Sequence, residues 1–300
     1  MSAMTQIPEF YPTMFSANWR TLAQQKPSKL SPLVVHEMVS GKEKKINQAG
    51  PSTPQRVVGR AQETRISDLN LYGRWLSPYP YDDAKLFDEW DEDLLGEVTR
   101  PDSTVLAQMI AGFNRAKDGA ILAAAVGSAR TGTDGTGATT LPAGQQVAVN
   151  YTGTTPANIG LTLAKVLQAK YLLDVADVED EGRILVCSAK QLQDMLNVTE
   201  VKSADYNSVK ALVNGQIDTY LGFKFVRVSA SLLPYVASTD VRSVVAFQRD
   251  GIAFTEKGAK TRMDIRADLS HALQIRSVDL FGATRTEEVR VVEVFCDESP

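Results

Sequence analysis

Few side chains in this sequence could do chemistry by pattern. Two histidines, His36 and His271, and two cysteines, Cys187 and Cys296, are its whole supply of imidazole and thiol. Zinc needs such ligands at short fixed spacings, and a cysteine nucleophile needs a histidine in a recognisable setting; none of the four sits in one. The cysteines are too few for a disulfide framework and read as buried free thiols. Residues 127–144, GSARTGTDGTGATTLPAG, could in principle cradle a phosphate, but the stretch lacks a Gly-Lys-Ser/Thr ending and dinucleotide-type glycine spacing, and so reads as an exposed loop. The acidic run Asp82, Asp83, Asp88, Glu89, Asp91, Glu92 and Asp93 is expected to be a solvated face. A calcium loop starting at Asp91 fails at Leu95, where an oxygen ligand is required. The expectation is no catalytic residue, no cofactor and no metal.

Whatever the chain does must therefore come from its architecture. Its 300 residues are 43% hydrophobic, enough for two packed cores. A net charge of −4 lacks the basic excess of a dedicated nucleic-acid binder. The opening MSAMTQIPEF has no basic segment leading into an apolar run, and no window reaches the apolar length of a membrane span. A soluble protein made in the cytoplasm, with no membrane partner, is expected.

The first fifty residues carry one short helical pattern around Trp19, then polar sequence interrupted by Pro27, Pro32, Pro51 and Pro54, and read as an arm that orders against another surface. Residues 55–81, QRVVGRAQETRISDLNLYGRWLSPYPY, mix strand and turn signals with Arg, Tyr and Trp, the types enriched at protein interfaces; an ordinary surface hairpin is the other reading. The strongest helix signal follows Pro101-Asp102-Ser103. Apolar residues recur at Leu106, Met109, Ile110, Phe113, Ala120, Ile121 and Ala124, with Gln108, Asn114, Arg115, Lys117 and Asp118 on the polar face. The middle alternates helix and strand. A helix opening at Thr155-Pro156 carries Ile159, Leu163, Val166 and Leu167; RILVC is a buried strand; Ser188 caps a helix with Leu192, Met195 and Leu196. SVKALVNG reads as a short helix, YLGFKFVRVS turns at Gly222 into a strand, and VVAFQRDGIAF reads as a hairpin about Asp250-Gly251. The end is strands, HALQIRSVDLFGA and VRVVEVF, about a polar turn at residues 285–288. Their packing partner is expected to be the long helix, which makes one domain discontinuous.

This order of parts resembles the major capsid proteins of tailed double-stranded DNA bacteriophages. The resemblance runs over nearly the whole chain and rests most on RPDSTVLAQMIAGFNRAKDGAILAAAVGSARTG, on ILVCSAKQLQDMLN with VKSADYNSVKALVNGQIDTYLGFKFVRVS, and on FGATRTEEVRVVEVFCDE. It implies an α+β fold of the Hong Kong 97-like capsid type with an N-terminal arm at 1–50 and an extended loop at 51–86. A peripheral domain with a long spine helix would take 87–136 and 256–300, and an inserted axial α/β domain 137–255. Implied with it are an icosahedral shell of hexamers and pentamers around the genome, an extended loop lying across a neighbouring subunit, and intersubunit contacts by Trp19, Arg60, Arg65, Arg74, Trp75 and Tyr79.

Two departures refine the expectation. Some relatives weld their shells through a lysine in the extended loop and an asparagine in the peripheral domain. Here no Lys lies between Lys45 and Lys85 and no Asn follows Asn214, so self-crosslinking is not expected. No long scaffolding segment precedes the arm, which implies a separate scaffolding protein beside a portal, with a decoration protein as an optional partner and packaged DNA touched without sequence preference. An encapsulin-like compartment shell is the nearest alternative. A cytosolic oligomeric α+β enzyme with a site near 127–144 is the alternative from another class.

Overall fold

The structure is a computed structural model that describes residues 24–54, 56, 59, 60, 66, 70–87, 102–151, 158–197, 219–269 and 271–298. In chain order the strands and helices are β1 Val35–His36, β2 Lys44–Ala49, β3 Leu71–Leu76, β4 Tyr79–Phe87, α1 Asp102–Val126, β5 Ala129–Thr131, β6 Gly137–Thr139 and β7 Gln146–Val147. There follow α2 Leu163–Val175, β8 Arg183–Cys187, α3 Ala189–Asn197, β9 Thr219–Tyr220, β10 Phe223–Arg227, β11 Tyr235–Val236 and β12 Val241–Gln248. The chain closes with β13 Ile252–Glu256, β14 Lys260–Arg266, β15 Ala272–Arg285 and β16 Val291–Asp297.

A mixed seven-stranded sheet runs β7-β16-β12-β8-β10-β9, with β11 added to β12. RILVC is fully buried because both faces of β8 are covered. Ile184 and Val186 face Phe113, Ile121, Leu122 and Ala125 of α1. Leu185 and Cys187 face Val166, Ala169 and Leu173 of α2 and Met195 of α3. Helix α1 also packs on the second, five-stranded sheet, through Ile252, Phe254 and Phe281. In that sheet the long strand β15 pairs antiparallel with β4 from Leu273↔Phe87 to Phe281↔Tyr79, and with β13 and β14 on its other edge. A third sheet, β2-β3-β5-β6, gathers the arm, the loop and the glycine-rich stretch. The spine helix is thus the shared core of both large sheets.

Several expectations need correcting. VVAFQRDGIAF is no hairpin: β12 belongs to the seven-stranded sheet and β13 to the five-stranded one. The closing strands divide in the same way, β15 in the five-stranded sheet and β16 beside β12, though Phe281 and Val291 share one core. The two crossover turns lie side by side, with Thr286 N–H donating to Gly251 O at 2.9 Å and the Thr286 hydroxyl to Asp250 O at 2.5 Å. Gly251 is required there because a Cβ would come within 2.9 Å of Arg290 Cβ and 3.2 Å of its carbonyl. The Asp-Gly pair signals close approach of two backbones, not a hairpin turn.

The stretch 127–144 is not a plain loop, since β5 and β6 form a hairpin within it, turned by Gly132 and Gly135 at positive φ. Helix α2 begins later than expected, at Leu163, where the Thr162 hydroxyl accepts from Lys165 N; Ile159 precedes it. On α1, Ile110 is half exposed, because the inward face is Met109, Phe113, Ile121 and Ala125. Asp118 and Lys117, expected on the solvent face, are buried or nearly so. Residues 152–157 and SVKALVNG lie outside the described residues. The helix capped by Ser188, whose hydroxyl accepts from Lys190 N, and the turn at Gly222 are as expected. Asp82 pairs with Arg276 and Asp83 with Lys85, all at least one-third exposed, as a solvated face requires; Asp88–Asp93 lie outside the described residues.

Cys187 and Cys296 are free and fully buried, and burial pushes both thiols up to about 12. Since the thiolate is the reactive form, native protein at pH 8 is expected to leave a thiol-reactive dye unconsumed, with both cysteines labelling only after denaturant is added. Rapid labelling of native protein would contradict this placement.

Candidate assembly interface

A subunit that acts through its surfaces needs its projecting segments tied to its body, and three polar anchors do this, two of them buried. The first holds the arm. Asp118, midway along α1, accepts from Ser28 Oγ at 2.6 Å, from Lys29 N at 3.0 Å, from Leu30 N at 3.1 Å and from the Gln25 amide. Leu30 and Val34 then enter the main core, and β1 adds parallel to β13. A carboxylate that receives several donors from one segment fixes that segment in place. This portion of the arm orders on its own subunit.

The second anchor is Arg285, at the end of β15 and 0% exposed. Its guanidinium donates to Ala125 O at 2.8 Å, Gly127 O at 2.7 Å and Thr139 O at 2.9 Å. Two of these carbonyls end the spine helix, where they lack intrahelical partners and carry the negative end of the helix dipole. One side chain thus joins the helix terminus, the β5–β6 hairpin and the five-stranded sheet. Burial pulls its pKa below the ordinary arginine value, while Glu288 counters. Nearby Lys117 bridges the buried Asp279 at 2.9 Å and Glu256 at 2.8 Å, fastening α1 to β13 and β15.

The third anchor lies at the base of the expected extended loop. Arg74 on β3 donates from Nε to Thr286 O at 2.8 Å and forks onto both oxygens of Glu288 at 2.7 and 2.5 Å. Trp75 Nε1 donates to Gly132 O at 2.9 Å, and its ring lies where a Cβ on Gly135 would be 3.0 Å away. Arg130 joins Glu43, at 2.8 Å, to Ser77, at 2.9 Å, and holds the Glu43 carboxyl below the usual carboxylate range. Arg74 and Trp75, expected between subunits, are engaged inside their own. Their charge and indole N–H find partners on the turns that β3 crosses. Tyr79 is exposed at the start of β4, and Arg60 is exposed in the loop. Trp19 and Arg65 lie outside the described residues.

Asp118, Arg285 and Glu288 were not singled out from the sequence as anchors. Asp118 read as part of the helix's polar face, and none of the three carried a local signal, since their partners are remote in the chain. Among the described residues there is no group of three or more His, Cys, Asp or Glu placed to hold a metal, and no helix long and apolar enough to cross a membrane. A cleft of about 650 Å³ opens between the loop base and the crossover turns and is lined by Gln48, Tyr72, Arg74, Asp250, Glu287 and Arg290. These are groups already engaged in structural bonds or ordinary surface charges.

Comparison with solved structures places this fold among phage heads. The chain is similar to the capsid of cyanophage P-SCSP1u, with a TM-score of 0.72 at 14% identity over 97% of this chain and 94% of that one. It is similar to the head protein of Helicobacter pylori bacteriophage KHP40, with a TM-score of 0.73 at 9% identity over 99% of both chains. Mycobacterium phage Che8 gives a TM-score of 0.66 at 19% identity over 95% and 97%. No curated protein matches the sequence. A family model described as phage capsid protein matches residues 7–298. From its arm to its closing strand, this chain belongs to the phage capsid protein family.

Proposed function

We propose that this chain is the major shell subunit of a tailed double-stranded DNA phage, built into hexamers and pentamers of an icosahedral capsid around the genome. As a capsid protein it is a structural component of the virion and not an enzyme. The observation that carries the reading is the family match over residues 7–298, on a fold in which the buried Asp118, Asp279 and Arg285 fasten one segment to another. Such a protein works through many repeated contacts of moderate strength, which closure of the lattice makes persistent.

Within this reading residues 1–50 are the arm, 51–86 the extended loop, 87–136 and the segment from 256 the peripheral domain, and 137–255 the axial domain. Strand β16 is best counted with the axial part, because its sheet partners are β12 and β7. Trp19, Arg60, Arg65, Arg74, Trp75 and Tyr79 are the residues of the arm and loop proposed to meet neighbouring subunits; Arg74 and Trp75 also hold the loop base. The protein is synthesised in the cytoplasm of a bacterial host and assembles with a separate scaffolding protein and a portal, with a decoration protein as an optional addition. Its net charge of −4 suits a container that touches DNA without sequence preference, since strong attraction to phosphate would hinder packing and release.

Negative-stain microscopy with sedimentation velocity, on protein expressed alone and with the candidate scaffold from its gene neighbourhood, tests this. Closed shells, tubes or rings of five or six subunits are expected. A monodisperse small oligomer under both conditions would overturn the reading.

A further inference from the structure

Helix α2 is apolar on two sides. Val166, Ala169 and Leu173 are buried against the seven-stranded sheet, while Leu167, Tyr171 and Val175, spaced four apart, are 46, 59 and 64% exposed. An aligned row of exposed apolar side chains marks a surface that something covers. The isolated subunit leaves this stripe open.

A second apolar pair lies elsewhere on the same sheet. Val241 and Arg242 of β12 pair with Asp297 and Cys296 of β16 and also with Val236 and Tyr235 of β11, so β11 and β16 flank β12 on opposite sides. Helix α2 packs over β16 and β7, on the side away from β11. Tyr235 and Val236 are half exposed on the outer edge of β11. The Tyr235 ring is held in place, with the Arg242 guanidinium 4.5 Å from its centroid and its hydroxyl donating to Asp240 at 2.5 Å. A fixed aromatic of this kind makes a good anchor, because little freedom is lost when it is covered.

A ring of identical subunits closes only through a contact between two different patches, one at each side of every subunit. We infer that the Leu167–Tyr171–Val175 stripe of one copy packs against the Tyr235–Val236 edge of the next copy in the capsomer ring. The occupant is a second copy because the family is a self-assembling one and both required patches sit on the same unit, on opposite sides of β12. Asp174 beside the stripe pairs with Arg183 and Arg242 beside the edge pairs with Glu298 inside the subunit, so Lys170 and Asp240 bring opposite charges to the rim of the contact, which favours this pairing over stripe on stripe. The inference rests on the shell reading above.

Two variants test it, each assembled with the scaffold beside wild type. Tyr171→Glu with Val175→Glu is expected to keep the wild-type circular dichroism and melting profile, while the yield of rings and shells falls by about tenfold or more. Tyr171→Cys with Val236→Cys is expected to give, on oxidation, a ladder of disulfide-linked chains that neither single variant gives; Cys187 and Cys296 are buried and do not contribute. Normal assembly of the Glu variant, or assembled Cys variant without a ladder, overturns the contact. The ladder decides alone if the Glu variant fails to fold. Wild type that forms no ring or shell overturns the shell reading, and this contact with it.

Discussion

Replacing Arg285 by methionine is expected to destabilise the subunit by about 3–5 kcal/mol, the scale for removing one member of a buried polar cluster and leaving the others unpaired. Methionine fills much the same volume, so the loss isolates the guanidinium from its packing. Three carbonyls, those of Ala125, Gly127 and Thr139, would lose their donor inside the protein. Each buried acceptor left unmatched costs on the order of 1–3 kcal/mol. The negative end of the spine helix would also lose its cation. Arg285→Lys is expected to recover only part of the loss, because a single ammonium cannot fork across the helix end and the hairpin together. Urea titration followed by circular dichroism measures this directly. Equal midpoints for wild type and the methionine variant would show that the anchor contributes nothing. Against a total stability of about 5–15 kcal/mol for a typical protein, the expected loss is enough to divert newly made chains to aggregates before they reach a shell.

The sequence makes some of this legible and hides the rest for physical reasons. The spine helix, RILVC and the helix after Ser188 are set by local periodicity and capping, and each appears where those signals put it. Sheet membership is not local. The turn at Asp250-Gly251 has the composition of a hairpin, yet its glycine answers to the backbone of Arg290 from the other crossover. A reader of the sequence alone sees a turn and cannot see which sheet the next strand joins. The same holds for the anchors. Arg74 reads as an interface residue because arginine beside Tyr and Trp is a type enriched at protein interfaces, but Glu288, 214 positions away, pairs with it within the subunit. What remained readable was the kind of surface a shell subunit would need; which arginine serves the neighbour and which serves its own fold depends on contacts between distant segments.

The arm anchor supports an equally large expected effect, read as exposure and not as unfolding. Asp118→Ala removes the acceptor for the backbone N–H groups of Lys29 and Leu30 and for the hydroxyl of Ser28, in a place where water does not reach Leu30. The main core still holds Val34 through apolar packing, so the body of the subunit is expected to remain folded while the segment up to and including Leu30 opens locally. Lys29 followed by Leu30 is a trypsin site, and in the intact protein its ammonium also donates to Arg227 O at 2.6 Å. Losing about 2 kcal/mol of local anchoring raises the open population roughly thirtyfold, and cleavage that samples the open form rises with it. Limited trypsinolysis followed by mass spectrometry should therefore show a fragment beginning at Leu30 appearing much faster from Asp118→Ala than from wild type. Asp118→Asn should fall between them, since the amide keeps one accepting oxygen but turns an N–H₂ toward groups that themselves donate. Equal cleavage rates in all three proteins would mean that packing of Leu30 and Val34, and not the carboxylate, holds the arm.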